Sequence, residues 1–250
     1  MWKLFDDLID GIDPGAAADS IICGTEHSAV RCGDTVGVSV SISKTWRSAM
    51  LPKKAVGMPL RELAACIKSW DFNEAVIGLA AINAWYNNIG RLRGLGLYIP
   101  DAAHVEDRSA DPFIAAQKEI AGKTVTSIGH FPYIDQLFAP VCKLSVIEKF
   151  HPGDGDYPEQ AADYLLPASD YVFISSYTFA EKSLPRYLEL AKNAHVTTVG
   201  ASSPMAPLLG KYGVNAIAGF AVKDPAAAER VSLGLGGKMR ATGQKINLQL

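Results

Sequence analysis

The chain has 250 residues and a mass of 26.7 kDa, which is long enough for one large domain or two modest ones. Hydrophobic residues make up 48% and charged residues 20% of the sequence, so the composition excludes a disordered, collagen-like or low-complexity chain. The formal net charge is −2, from 24 basic and 26 acidic residues, and we therefore expect no nucleic-acid partner.

The cysteines and the N-terminal segment indicate a cytoplasmic protein. Cys23, Cys32, Cys66 and Cys142 form no CxxC pair, which is typical of reduced thiols. The first seven residues include two aspartates where a secretory signal needs an apolar run, and no apolar stretch of about 18 residues follows. We expect no membrane association.

The first part of the chain, residues 1–100, is predicted to be a small α+β domain. The predicted elements are a helix over 4–12, strands over 20–23 and 36–42 that belong to an antiparallel meander, and helices over 60–70 and 72–85. Asp71 precedes the last of these helices and is a candidate N-cap. That helix is apolar on most faces, so we expect it to be buried.

The second part, residues 101–250, is predicted to be a Rossmann-like doubly wound parallel sheet. A connection rich in Asn, Gly and charged residues, 87–110, separates the two parts. Apolar, β-rich runs then alternate with helical stretches, which predicts five βα units. The predicted strands are 124–128, 144–147, 171–174, 196–199 and 216–220, and the predicted helices are 133–141, 158–166, 178–193, 204–212 and 225–233.

The loops after these strands are the candidate ligand-binding segments, because open α/β sheets bind ligands beyond the carboxyl ends of their strands. The candidate ligand-binding residues are Gly129, His130, Phe131, Pro132, Glu148, Ser175, Ser176, Tyr177, Thr178, Gly200, Ser202, Ser203 and Pro204. Helix capping alone would also explain each hydroxyl in this set. Their coincidence at one sheet edge favours a shared binding role.

Glu148 lies 19 residues after Gly129, roughly where a dinucleotide-binding fold places its ribose-binding acid. A GxGxxG motif is absent, so an ordinary nicotinamide-dependent dehydrogenase is not expected. The segment Gly122-Lys123-Thr124 resembles the end of a phosphate-binding loop, but it leads into a predicted strand instead of a helix. Hydrolase chemistry has no support either, because no G-x-S-x-G elbow is present.

For metals, His130 is the candidate ligand, since it follows the first strand at the ligand edge. The five histidines include no HxxxH pair and the cysteines lack zinc spacing, so no structural zinc site is predicted. Other side chains could meet metal ligands in space, although solvated loops are the simpler interpretation: Cys23, Glu26, His27 and Cys32 in the first part, and His104, Glu106 and Asp107 in the connection.

Six segments resemble the bacterial and archaeal family described as "Putative heavy-metal chelation". They are residues 77–84, 128–132, 146–148, 156–158, 165–170 and 199–204. The resemblance spans nearly the whole chain and implies an enolase N-terminal-like domain, a Rossmann-like domain and a site in the cleft between them. Where relatives show a Thr-Gly-Thr-Thr-like segment, this chain has Ser175-Ser176-Tyr177-Thr178, followed by Glu181 and Lys182, which add bulk and charge.

Three functions remain open from the sequence. The first is binding of a small polar or metal-associated ligand in the interdomain cleft, with the role in heavy-metal chelation that the resemblance implies. The second is an enzyme that uses a nucleotide-like cofactor such as S-adenosylmethionine, with Glu148 holding its ribose. The third is a regulatory ligand-binding module without turnover. The candidate cofactors are thus a heavy metal or a nucleotide-like small molecule, and a homo-oligomer is left open.

Overall fold

The computed structural model describes residues 2–42, 55–100 and 111–250. These residues form an antiparallel sheet of three strands and a mostly parallel sheet of six strands, with helices packed around both. The expected fold class, a small α+β part followed by an α/β part, is confirmed. The predicted boundary at residues 100 and 101 borders the segment 101–110, which lies outside the described residues, and it stays a prediction.

Residues 2–42 and 55–100 of the first part form four helices and three strands: α1 (Lys3–Asp10), β1 (Ser20–Ile22), β2 (His27–Cys32), β3 (Thr35–Val40), α2 (Leu60–Ala64), α3 (Phe72–Tyr86) and α4 (Ile89–Gly94). The strands pair as the predicted antiparallel meander. Two elements were not predicted: β2, whose apolar alternation is short, and α4, which lies in the predicted connection. The predicted helix 60–70 is shorter and ends in a 3-10 turn, Ala65–Lys68.

The long helix α3 is buried along most of its length, as its composition predicted. The Asp71 side chain accepts hydrogen bonds from the backbone N–H groups of Asn73 and Glu74, so the predicted N-cap is confirmed. The helix packs closely on the first sheet at Gly37, where a Cβ atom would lie 2.0 Å from the backbone nitrogen of Ala84. Only glycine permits that approach.

Residues 111–250 of the second part form six strands and six helices: α5 (Pro112–Ala116), β4 (Thr124–Ile128), α6 (Ile134–Phe138), β5 (Lys143–Ile147), α7 (Ala162–Leu165), β6 (Tyr171–Ser175), α8 (Tyr177–Glu181), α9 (Leu184–Leu190), β7 (His195–Val199), β8 (Ala216–Val222), α10 (Pro225–Ser232) and β9 (Gly243–Gln249). The strand order is β5-β4-β6-β7-β8-β9. All five predicted strands are present and pair in parallel.

Three predictions for the second part were incomplete, and the short helix α5 was not predicted. The predicted helix 178–193 is divided into α8 and α9, because Lys182 adopts a left-handed conformation with φ of 65°. The predicted helix 204–212 is only a 3-10 turn, Pro207–Tyr212. The sheet also gains the antiparallel edge strand β9, which pairs with β8 and was not predicted, although its apolar residues alternate with polar ones as in a half-buried strand.

One hydrophobic core runs through both parts of the chain. It joins residues of α1 and α3 with residues of β4, β6 and α9, including Leu8, Leu79, Ile128, Ile174 and Leu188. The contact is reinforced by Arg31 of β2, whose guanidinium donates two hydrogen bonds to the carboxylate of Glu229 on α10. Among the described residues, no helix is long and apolar enough to cross a membrane.

Candidate ligand site

A cavity of about 740 Å³ lies at the carboxyl ends of β4, β5 and β6. Ser41 and Ile42, which follow β3, also line it, so the first part of the chain contributes to its wall. In an α/β sheet of this strand order, the connection after β4 runs to β5 on one side and the connection after β6 runs to β7 on the other side, so a crevice forms between β4 and β6. The strand order therefore positions the cavity.

Eight of the predicted ligand-binding residues line this cavity: Gly129, His130, Phe131, Pro132, Glu148, Ser175, Tyr177 and Thr178. Ser176 is buried beside them but does not belong to the lining. Gly129 has a φ of 104°, and a Cβ atom there would lie 3.0 Å from Cβ of Ser175. A glycine thus lets the β4 loop and the β6 loop approach each other.

His130 is held between two carboxylates. Its Nδ1 lies 2.9 and 3.1 Å from the two carboxylate oxygens of Asp156, and its Nε2 lies 3.1 Å from Oδ2 of Asp135. The hydrogen bond with Asp156 raises the pKa of His130 above its ordinary value of 6.5, Asp135 raises it further, and burial opposes both. The site thereby favours the imidazolium, whereas metal ligation requires the neutral ring.

The carboxylate of Glu148 orders the loops around it. Oε1 accepts hydrogen bonds from the backbone N–H groups of Lys149, Phe150 and His151, and Oε2 accepts one from His130. Burial raises the pKa of Glu148, but these four backbone hydrogen bonds outweigh burial and hold the pKa below its ordinary value. A charged acceptor therefore ties the loop after β4 to the loop after β5.

A cluster of charged side chains, Lys149, Glu159 and Glu181, also lies in the cavity and was not predicted. Lys149 Nζ lies 3.5 Å from Oε2 of Glu159 and 3.4 Å from Oε1 of Glu181. The Tyr187 hydroxyl donates a 3.1 Å hydrogen bond to Oε1 of Glu159. The one sequence signal was the charge of Glu181, four residues after Tyr177 on the otherwise buried helix α8.

Comparisons with known proteins decide the family. Models of two families, both described as "Putative heavy-metal chelation", match residues 111–249 and residues 5–86. A crystal structure of a protein of unknown function from the DUF364 family of Desulfitobacterium hafniense is 42% identical, with a TM-score of 0.92. The match covers 100% of this chain and 99% of that one. This chain belongs to the DUF364 family.

A second DUF364 structure, a protein of unknown function from Pyrococcus horikoshii, is 16% identical and has a TM-score of 0.78. The match covers 99% of this chain and 98% of that one, and at this identity it supports the fold alone. No match was found among curated proteins.

The remaining predicted loop of this DUF364 protein lies away from the cavity. Ser202 and Ser203 are fully buried, and Gly200 and Pro204 are not part of the cavity lining either. The Ser202 hydroxyl accepts a 2.8 Å hydrogen bond from the backbone of Val40, while the Asn83 side chain donates to the Ser202 carbonyl. The loop thus joins the second sheet to β3 and α3.

Other candidate metal ligands do not cluster. Within the described residues, no group of three or more His, Cys, Asp or Glu side chains is arranged to hold a metal ion. Cys23 is exposed, and His27 is a half-buried strand residue whose pKa is lowered by burial. The candidates His104, Glu106 and Asp107 lie outside the described residues.

Proposed function

We propose that this protein binds a small polar ligand in the cavity at the carboxyl ends of β4, β5 and β6. The observation that carries the proposal is convergence: polar side chains from the loops after three strands and from the end of β3 line one cavity of about 740 Å³. That volume is within the usual range for small-molecule sites, and its position is the one where open α/β sheets bind ligands.

Ser175 supplies a polar contact that the fold leaves available. Within the part of the chain that the structure describes, its hydroxyl accepts one long hydrogen bond, 3.4 Å from the backbone nitrogen of Tyr177, which contributes little to capping. The neighbouring Thr178 hydroxyl donates to the Ser175 carbonyl at 2.7 Å and is already engaged in the turn. Ser175 is therefore the hydroxyl best placed to contact a ligand.

The second candidate is a metal-associated ligand, which the description of the matched families favours. His130 would be the protein ligand through Nε2, which would have to leave its contact with Asp135, while Asp156 orients the ring through Nδ1. Since the described residues offer no group of three ligands, most donor atoms would come from the bound molecule itself.

A nucleotide-like cofactor such as S-adenosylmethionine, bound with or without turnover, receives less support. The ribose role assigned to Glu148 requires free acceptor positions, and four backbone N–H groups already bind this carboxylate. Oε2 keeps one lone pair that could accept a single hydroxyl. Glu148 is thus better suited to ordering the loops that would face a ligand.

The test is a thermal-shift screen of small polar metabolites, nucleotides, methyl donors and divalent metal salts, because a ligand that binds only the folded state raises the melting temperature. Each hit is then titrated into Ser175→Ala and into the matched control Ser203→Ala, whose hydroxyl is buried outside the cavity. We expect Ser175→Ala to weaken binding by roughly fivefold and Ser203→Ala to leave it unchanged. Equal effects of both variants, or no hit, would contradict the proposal.

A further inference from the structure

A pair of carboxylates in the cavity shares one lysine. Lys149 Nζ lies 3.5 Å from Glu159 and 3.4 Å from Glu181, and both distances exceed the range of a good N–H···O hydrogen bond. The Lys149 side chain is 42% exposed, so its ammonium group can turn toward solvent at little cost. One loosely held cation therefore faces two anions.

Glu181 is the buried member of the pair. Its side chain is only 8% exposed, it lines the cavity, and its Oε1 has no hydrogen-bond partner among the described residues. Burial raises the pKa of Glu181, the Lys149 ammonium counteracts this, and the negative charges of Glu159 and Glu148 raise it again. A buried carboxylate oxygen without a hydrogen bond is costly, and a donor placed in the cavity would reduce that cost.

The lining also favours a ligand with positive charge and a hydrocarbon body. Three glutamates line the cavity against Lys149 and His130, whose pKa is raised, so the balance of these charges stays negative and disfavours an anion. Ile42, Ile128 and Ile147 supply apolar wall beside these charges. A bare metal ion would make no use of this apolar wall. Two carboxylates also fall short of the three or four protein ligands that stable metal sites usually need.

We propose that Glu159 and Glu181 form an ammonium-binding subsite, and that the ligand of this cavity is an organic amine whose hydrocarbon body lies against the isoleucines. In the structure described, Lys149 occupies the place next to the carboxylates that the ligand's ammonium group would take or share. This inference rests on the proposed function, since it names the chemical class of the ligand that the cavity binds.

The experiment compares three four-carbon probes of similar length: 1,4-diaminobutane, 1,4-butanediol and succinate, which are cationic, neutral and anionic. Each is titrated calorimetrically into the full chain. We expect 1,4-diaminobutane to bind at millimolar concentrations or lower, 1,4-butanediol to bind at least about tenfold more weakly, and succinate not to bind. Lys149→Met removes the competing internal ammonium and should strengthen diamine binding several-fold.

Glu181→Gln and Glu159→Gln should each weaken diamine binding about tenfold, because each removes a charged acceptor. Glu189→Gln is the matched control: it makes the same chemical change at an exposed position on α9 and should leave diamine affinity unchanged. Should Glu181→Gln fail to fold, as its circular dichroism would show, the more exposed Glu159 still provides the test.

Three results would overturn the subsite. They are diamine affinity equal in Glu181→Gln, Glu159→Gln and Glu189→Gln, succinate binding as tightly as the diamine, and no diamine binding up to ~10 mM in either the natural chain or Lys149→Met. Succinate found in the cavity would still support ligand binding there, whereas a metabolite screen without any hit contradicts both proposals. Zinc binding that Glu181→Gln abolishes, without any diamine binding, would be a fourth such result, because it would identify the ligand as a metal instead of an amine.

Discussion

Two loops of this protein are alike in sequence but differ in their structural environment. The 129–132 loop follows β4 and the 200–204 loop follows β7, and each opens with a glycine at positive φ and ends with a proline. The first lines the cavity and is held by charged side chains. The second is buried against the first sheet and is held by neutral amides and hydroxyls.

The difference teaches that position in the sheet decides the role of a strand-end loop. The cavity lies beside β4, where the strand order changes direction, and β7 lies two places further along the sheet. At that place α3 and β3 cover the edge, so the hydroxyls of the 200–204 loop serve as structural hydrogen-bonding groups. The following predictions test this contrast, from the largest expected effect on stability to the smallest.

Asn87→Ala should have the largest effect. The Asn87 side chain donates to the carbonyls of Ser203 and Phe220 and accepts from the backbone of Met205, all in the buried interior. Its loss leaves three buried backbone groups unpaired and should lower the free energy of unfolding by about 3 kcal/mol. Urea denaturation measures the change, with the exposed Asn193→Ala as control; a loss below about 1 kcal/mol would contradict the structural role of the 200–204 loop.

Glu148→Gln should cost about 2 kcal/mol at neutral pH, because the amide places an NH₂ group against backbone donors that now bind a carboxylate. Since the folded-state pKa of Glu148 is lowered, its contribution is present above the ordinary value of 4.5 and is lost as pH falls through the folded value. The stability difference between the two proteins should therefore shrink in acid. Denaturation at a series of pH values, with Glu189→Gln as control, would show a constant difference if the carboxylate charge were unimportant.

Ser202→Ala and Ser203→Ala form a matched pair within the buried loop. Ser202 accepts a 2.8 Å hydrogen bond from Val40, so its alanine variant should lose about 1 kcal/mol. The Ser203 hydroxyl has no hydrogen-bond partner among the described residues, so Ser203→Ala should change stability by less than about 0.5 kcal/mol. Thermal unfolding of both variants measures the two stability losses. A larger loss for Ser203→Ala than for Ser202→Ala would show that the hydroxyls have different partners.

The smallest effect on stability is expected at His130, whose side chain is partly exposed. Its pKa should lie above 6.5, so the stabilisation by its ion pairs is present below that value and is lost as pH rises through the folded pKa. Asp156→Asn should lower this pKa, which an NMR titration of the ring protons measures directly. Asp163→Asn, a change at an exposed ion pair elsewhere, should leave it unaltered.

The parallel strands were predictable because their residues are β-branched or apolar with few charges, which is typical of strands covered by helices on each side, and β4 and β6 are buried on both faces. The antiparallel strand β9 carries a different signal, the alternation of Ile246 and Leu248 with polar residues that is typical of a half-buried strand, and it was missed in a segment that several glycines precede. The division of the helix at Lys182 also gave no sequence signal, because a lysine rarely adopts a positive φ without tertiary contacts.

In the candidate site, the loops after β4, β5 and β6 followed from topology alone, because the carboxyl ends of parallel strands share one edge. The charged pair of Glu159 and Glu181 could not be predicted, since these residues are 22 positions apart in sequence and only the packing of α8 beside the β5 loop brings both to Lys149. Sequence spacing carries no information about such long-range proximity.

The sequence by itself determined the sheet class, the N-cap of α3 and the set of strand-end loops, because these depend on local periodicity and local hydrogen bonding. Tertiary structure alone decided which of those loops face the cavity and which are buried. The physical reason is that a serine after a strand can bind a ligand, cap a helix or join two sheets with the same hydroxyl. The choice among these roles depends on what the rest of the chain packs against it, as Ser175 and Ser202 show.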